Sequence, residues 1–320
     1  MKKILSLLLA ATLILALAAC GTAGSSDSKS VSFATGGTSG TYYGFCGILG
    51  QVINEKVSDL NLKIESTGAS MANVQLIEAG EAGFAIVQND VMSYAYKGEL
   101  LFEKPNQSFA GVMSCYPEAV QIVAKKDIKS VADLKGKAIS VGAADSGTRF
   151  NAEQILKAYD IDFADCKINY QSFADSVDSI KNGTIDAAFI VAGAPTTAVT
   201  ELATSYDFTI LSIDDEHISA LQKDFPFYTK ISIPAGTYSC VKEDVQTVAV
   251  MATIIASNNL SEDVVYNFLK GVFDNKEEIA SLHAKGELID LNTAVSGISV
   301  PFHPGAVKFF TEMGITMPEA

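Results

Sequence analysis

Two short stretches carry residue types whose spacing suits one kind of chemistry, the capture of a small anion. The first, residues 36–42, reads Gly-Gly-Thr-Ser-Gly-Thr-Tyr. An alternating apolar run with Val31 and Phe33 precedes it, and Tyr42, Phe45, Ile48, Leu49 and Val52 follow at helical spacing. That pattern predicts a strand, a tight turn and a helix N-terminus. The first N–H groups of such a helix have no internal partner, and the macrodipole places partial positive charge beside them. Thr38, Ser39, Gly40, Thr41 and Tyr42 are therefore candidate ligand-binding residues. The second stretch, residues 142–148, follows an apolar run at 138–141 and ends in Ser146-Gly147-Thr148. Phe150, Ile155, Leu156 and Tyr159 then continue at helical spacing.

The two stretches belong to a longer internal repeat. Ser39-Gly40-Thr41 recurs 107 residues on as Ser146-Gly147-Thr148. Val74, Ile77 and Gly80, followed by the apolar run 84–87, recur 103 residues on as Val177, Ile180 and Gly183 with the run 187–190. Each copy closes on a loop, Gln88-Asn89-Asp90 in one and Ala192 to Pro195 in the other. Strand–helix alternation of this kind predicts two α/β lobes with parallel strands. In open α/β sheets ligands sit beyond the carboxyl ends of the strands, near helix N-termini. Two such lobes facing each other make a cleft with one anion-binding loop on each wall. Gln88, Asn89 and Asp90 either line that cleft or cap the next helix. Asp90 would suit an ammonium group on the ligand.

The elements that hold these loops are expected to join at two extended runs, 115–123 and 228–250, lying side by side at a hinge. A short helical turn after Ser130, its N-cap, is expected between them, and helices rich in Ala, Ile and Leu after the second. The lobes would be residues 31–117 plus 235–320 and residues 118–234. Cys115 and Cys240, one on each run, form the disulfide pair to test first. The mature chain has no CxxC or Cys/His ligand spacing, so no metal is expected. His217, His283 and His303 are scattered with no Ser or Cys partner nearby and read as structural or surface residues. No catalytic constellation emerges, and no cofactor. Residues 36–40 are not a GxGxxG turn, and Gly142 to Thr148 lacks the lysine of a phosphate-binding loop.

The chain has 320 residues, 48% of them apolar, and a formal charge of −14. It can bury a large core, and with no basic run it excludes nucleic acid as a partner. A protein this acidic must hold an anion with local dipoles and not with its overall field. Lys2 and Lys3, the apolar run 4–17 and Leu17-Ala18-Ala19-Cys20 predict a signal peptide over residues 1–19. The tetrapeptide resembles the lipobox of bacterial lipoproteins, which implies a lipid on Cys20 and a polar tether over residues 20–30.

Taken in order, GGTSGTYY, STGASMANVQLIEAGEAGFAIVQNDV, SCYPEAVQIV, VADLKGKAISVGAADSGT, IPAGTY and PFHPGA resemble the TAXI family across residues 31–314. These are the extracytoplasmic solute receptors of tripartite ATP-independent periplasmic (TRAP) transporters. The resemblance implies a type II periplasmic-binding-protein fold, two α/β lobes joined by two crossovers at a hinge with the cleft between. It implies a monomeric, non-enzymatic receptor that closes on a small carboxylate, a glutamate-like amino acid or a dicarboxylate, and delivers it to a membrane permease. The alternative is a receptor of the same fold that presents its solute to a signalling protein. Carried over by residue, the first wall is Thr38 to Tyr42 with Thr67 and Gln88 to Asp90. The second is Ser146, Gly147 and Thr148, with Ala192 to Pro195 behind. Arg149 departs from the family pattern. It either points into the cleft as a carboxylate clamp or lies in solvent.

Overall fold

A computed structural model of the chain describes residues 29–318. The expected signal peptide, Cys20 and the tether up to residue 28 lie outside the described residues.

Ten strands form one sheet. Three βα units build its first half: β1 (Lys29–Ala34) and α1 (Thr41–Lys56), β2 (Leu60–Glu65) and α2 (Ser70–Glu78), β3 (Phe84–Gln88) and α3 (Asn89–Lys97). β1 pairs in parallel with both β2 and β3. A second series repeats this: β5 (Ala138–Ser140) and α4 (Gly147–Ala158), β6 (Lys167–Asn169) and α5 (Phe173–Lys181), β7 (Ala187–Ala192) and α6 (Thr197–Ala203). β5 pairs in parallel with β6 and β7. The repeat read from sequence is thus a repeat of topology, and the α/β class is as expected.

Two long strands join the halves. β4 (Phe109–Lys125) and β10 (Val245–Ser257) pair antiparallel at the middle of the sheet. β3 flanks β10 on one side and β7 flanks β4 on the other, so the order is β2-β1-β3-β10-β4-β7-β5-β6. Both long strands are buried along almost their whole length, and they read as near-continuous runs of small and β-branched residues. The expected first run, 115–123, lies within β4. The second expectation needs correction. Residues 228–250 are not one extended run: β9 (Thr229–Ile233) turns back and pairs antiparallel with the start of β10. β10 then runs on through residues 251–257, where helices were expected to begin, and forms the crossing strand. Alternation of small and β-branched residues suits a doubly covered strand as well as a buried helix, and here pairing on both edges decided.

Four large clusters of buried side chains cover the sheet. Two draw on residues 31–116 and 252–310, and two on residues 119–250. β8 (Phe208–Leu211), pairing with β4, and α7 (Asp215–Asp224) complete the second set, and α8 (Glu262–Asp274), α9 (Lys276–Leu282) and α10 (Pro304–Glu312) the first. Residues 131–134 make the short turn expected after Ser130, with Ser130 and Asp133 exchanging capping bonds.

The Cys115–Cys240 bridge does not form. All four cysteines among the described residues are free. Cys115 is buried in the core that includes Phe45 and Tyr116, whereas Cys240 packs beside Tyr238 and Val241 in another cluster. The β9–β10 hairpin carries Cys240 away from the crossing point. The histidines have structural roles: His303 caps α10 and His217 stacks on Tyr159 at 3.5 Å.

Candidate functional site

Both repeated loops open onto a single cleft of about 600 Å³ of atom-free space, including its mouth. Four helices start at its edge. Ser39, Gly40, Thr41 and Tyr42 bring the N-terminus of α1, and Ala69 and Ser70 that of α2. Ser146, Gly147 and Thr148 bring that of α4, and Ser172 and Phe173 that of α5. Each contributes N–H groups and the positive end of a helix dipole. Among the described residues no lysine or arginine lines the cleft.

The halves touch around the cleft. Thr41 Oγ1 donates to Gly193 O at 2.8 Å, and Ala198 N donates to Ser39 O at 3.2 Å. Met71 and Ala72, in the first turn of α2, both donate to Asp145 O at 3.1 Å. Lys285 Nζ reaches Ala194 O at 2.6 Å. A β-carbon on Gly147 would stand 1.9 Å from Gln88 Oε1, so α4 meets the end of β3 through a glycine that has no space to spare. These contacts join residues 39–88 and 285 to residues 145–198 and narrow the cleft.

Ten of the fifteen residues expected at the site line this cleft: Ser39, Gly40, Thr41, Tyr42, Thr67, Gln88, Ser146, Gly147, Thr148 and Ala192. Their roles differ. Thr67 lines the wall, but its hydroxyl lies 2.6 Å from Asn73 Oδ1 and accepts from Ala69 N at 3.0 Å, so it builds the turn. Ser146 Oγ folds back on Ala143 O at 2.8 Å.

Five lie elsewhere. Thr38 and Pro195 are exposed at the outer faces of their loops. Asn89 turns toward β10, where it accepts from Met251 N at 2.9 Å. Asp90 faces α4: it accepts from Val91 N and from Asn151 Nδ2, each at 2.8 Å. Burial raises its carboxyl to about 6, against the pull of those two hydrogen bonds. Asp90 is therefore not placed to meet a ligand ammonium. Arg149 points away from the cleft, with its guanidinium over the Tyr170 ring at 5.3 Å and Nη1 on Ala144 O at 3.3 Å.

The residue at the floor is not among those fifteen. Glu118, on β4 where it crosses between the halves, is 2% exposed, lines the cleft, and accepts from Tyr42 Oη at 2.6 Å. Burial pushes its carboxyl well above the usual carboxylate range, although the Tyr42 hydrogen bond pulls the other way. Tyr42 is raised in turn, by burial first and by Glu118 second. A signal was present: an acidic residue in the middle of a 17-residue strand whose only other charged residue is the terminal Lys125. Phe173, Val191 and Ser172 were missed, because their part in the cleft depends on how α5 and β7 approach it.

A family model described as the NMT1-like family matches residues 33–314. The chain belongs to the NMT1-like family. Three solved structures share its fold, a periplasmic binding protein among them. PhnD1 from Prochlorococcus marinus, in complex with methylphosphonate, superposes with a TM-score of 0.54 at 10% identity, covering 79% of this chain and 89% of that one. A Bordetella bronchiseptica RB50 protein gives 0.52 at 17% identity, covering 88% of each chain. The periplasmic aliphatic sulphonate binding protein SsuA from Escherichia coli gives 0.50 at 13% identity, covering 88% of this chain and 82% of that one. Among the described residues no cluster of His, Cys, Asp or Glu could hold a metal, and no helix is long and apolar enough to cross a membrane.

Proposed function

We propose that this NMT1-like chain is an extracytoplasmic solute-binding lipoprotein, of the TAXI type that serves TRAP transporters. It captures a small carboxylate by lobe closure and passes it to a membrane permease. The observation that carries this reading is the convergence of both copies of the repeated loop, each with its helix N-terminus, on one cleft that lacks a cationic side chain. Dipoles arranged this way suit an acid group, because charge-assisted hydrogen bonds to backbone N–H groups are strong for their number. Ser39 to Tyr42 and Ser146 to Thr148 supply the two walls, with Gln88 and Ala192 beside them.

One lobe in this proposal is residues 31–117 with the C-terminal segment, and the other is the stretch between. The second crossing is better placed near Met251 than at residue 235, because Tyr238, Val241 and Val245 pack in a cluster with Ile190 and Phe208. Hinge motion at the β4–β10 pair would open the cleft, and the contacts between Thr41 and Gly193 and between Asp145 and α2 would hold it closed. A lipid on Cys20 would keep the receptor at the membrane.

Thermal unfolding against a panel of small acids tests the proposal. A ligand that binds only the folded state raises the transition temperature in a saturable way, by RT ln(1 + [L]/Kd) in free energy. Saturable stabilisation by a carboxylate is the expected result. Stabilisation by alkylsulfonates or methylphosphonate alone would move the ligand class, and no response to any anion would reject the reading.

A further inference from the structure

Dipoles alone leave one part of the cleft unexplained. Glu118 places a carboxyl among helix N-termini, and among the described residues it meets no cation. Lys285, the cation beside Tyr116, is bound to Ala194 O and lies 6.0 Å from the Tyr116 ring centroid. Beside Glu118 stands Gln88, 2% exposed, whose Oε1 is buried with no hydrogen-bond partner although the residue lines the cleft. The cleft therefore pairs several donors with an acceptor corner. That corner holds the Glu118 carboxyl, fixed by Tyr42 Oη, and an amide oxygen with nothing to accept.

We infer that Glu118 and Gln88 Oε1 form a subsite for a cationic nitrogen, so that the solute is a zwitterion carrying an ammonium group close to its acid group. This rests on the anion reading above and narrows it: a plain dicarboxylate would set a second negative charge against Glu118. Every other titratable group near Glu118 is unsuited to supply the missing cation. Tyr42 on α1 and Tyr116 on β4 are held neutral by burial, as is the Cys115 thiol. Asp90 on α3 is an acid already bonded to Asn151 and Val91.

An ionised carboxylate without a partner is unstable in such a place, so Glu118 holds a proton while the subsite is empty. An arriving ammonium exchanges with it. The O–H proton leaves for solvent, and N–H groups of the ligand donate to the carboxylate that remains. The acid group of the same ligand is held by the first turns of α1 and α4.

Calorimetry on the intact protein with matched pairs tests this: L-alanine with L-lactate, L-leucine with 2-hydroxyisocaproate, L-glutamate with 2-hydroxyglutarate. The expected result is that an amino acid binds about 30-fold or more tightly than its hydroxy-acid partner, the scale of losing one side of a buried charge pair. Buffer-dependent heats should show release of about one proton on binding. Glu118→Gln should erase most of that preference and the proton release, while leaving hydroxy-acid binding at least as tight. Its unliganded unfolding temperature should not fall, because a neutral amide replaces a buried acid. Should the variant fail to fold, the matched pairs and proton release on the wild-type protein decide alone. Hydroxy acids that bind as tightly as amino acids would overturn the inference and leave the anion reading intact. Equal loss of both ligand types in Glu118→Gln would overturn it too. No binding by either member of any pair would count against the anion reading itself.

Discussion

Residues Gly40, Thr41 and Tyr42 align with Gly147, Thr148 and Arg149 in the repeat, yet the two triplets do different things. Tyr42 points into the protein and holds Glu118; Arg149 points out over Tyr170. An added β-carbon at Gly40 would sit 3.3 Å from the backbone oxygen of Gly37, a tight contact, whereas at Gly147 it would overlap the side-chain end of Gln88 at 1.9 Å. Thr41 Oγ1 crosses the cleft to Gly193 O, while on the other wall Ser146 Oγ bonds within its own loop. The loops that follow differ as well: Gln88, Asn89 and Asp90 align with Val191, Ala192 and Gly193. The repeat supplies two similar turns, proposed to bind an anion, and their neighbours differ: Gln88 and Tyr42 stand where the other copy has Val191 and Arg149.

The sharpest way to break this comparison is to exchange the steric roles of the two glycines. In Gly147→Ala the new methyl meets Gln88 Oε1 and Cδ at 1.9 and 2.4 Å, so the amide end of Gln88 must swing out of its place beside the cleft. Ligand-induced stabilisation should fall with the unliganded fold retained, as far-UV circular dichroism and thermal unfolding would show. Gly40→Ala should keep ligand affinity within about threefold, since van der Waals neighbours at this distance yield by tenths of an ångström. Equal effects would mean that the walls are interchangeable.

Asp90 gives the next largest effect. Its folded-state carboxyl titrates near 6, above the ordinary value of 3.8. Between those values the folded chain keeps a proton that the unfolded chain has lost. Stability therefore falls as pH rises from about 4 to about 6, by roughly 3 kcal/mol if the full shift is expressed, and then levels. Asp90→Asn should remove that fall. The new amide can be satisfied, because Asn151 Oδ1 is buried without a partner and can accept from it once the Asn151 amide turns over. Denaturant midpoints at pH 4 and pH 7 would show this, and an unchanged pH dependence would place the titration elsewhere. Gly193, the aligned position, has no group that could behave in this way.

Smaller effects distinguish Thr41 from Arg149. Thr41→Val removes one neutral hydrogen bond across the cleft and should weaken ligand binding by about fivefold to tenfold, equivalent to ~1 kcal/mol. Arg149→Ala should leave affinity unchanged and cost at most about 1 kcal/mol of stability through the lost contact with Tyr170. Titration calorimetry of both variants would rank them, and a larger loss in Arg149→Ala would restore the carboxylate clamp that the structure argues against.

Much of this molecule was legible in its sequence. The period of apolar residues marked strands and helices, the Gly-rich turns marked helix starts, and the near-constant repeat offset paired β1 with β5 and β3 with β7 before any coordinates. These are local properties, set by backbone sterics and by which face of each element is apolar. Ten cleft residues were found because a strand–turn–helix unit always aims its turn beyond the strand end. Where a side chain at a turn points was not legible, nor what lies opposite it. Asn89 and Arg149 face away from the cleft because each finds a partner elsewhere, Asn89 on Met251 N of β10 and Arg149 over the Tyr170 ring. The β9–β10 hairpin, the separation of Cys115 from Cys240, and Glu118 at the floor all depend on how β4 and β10 pair across more than a hundred residues of chain. The sequence by itself determined two similar βα series, each with a Gly-rich turn at a helix start. Only the tertiary structure decided that one shared floor carries a buried acid, because burial and charge pairing are properties of surfaces brought together and not of any one stretch.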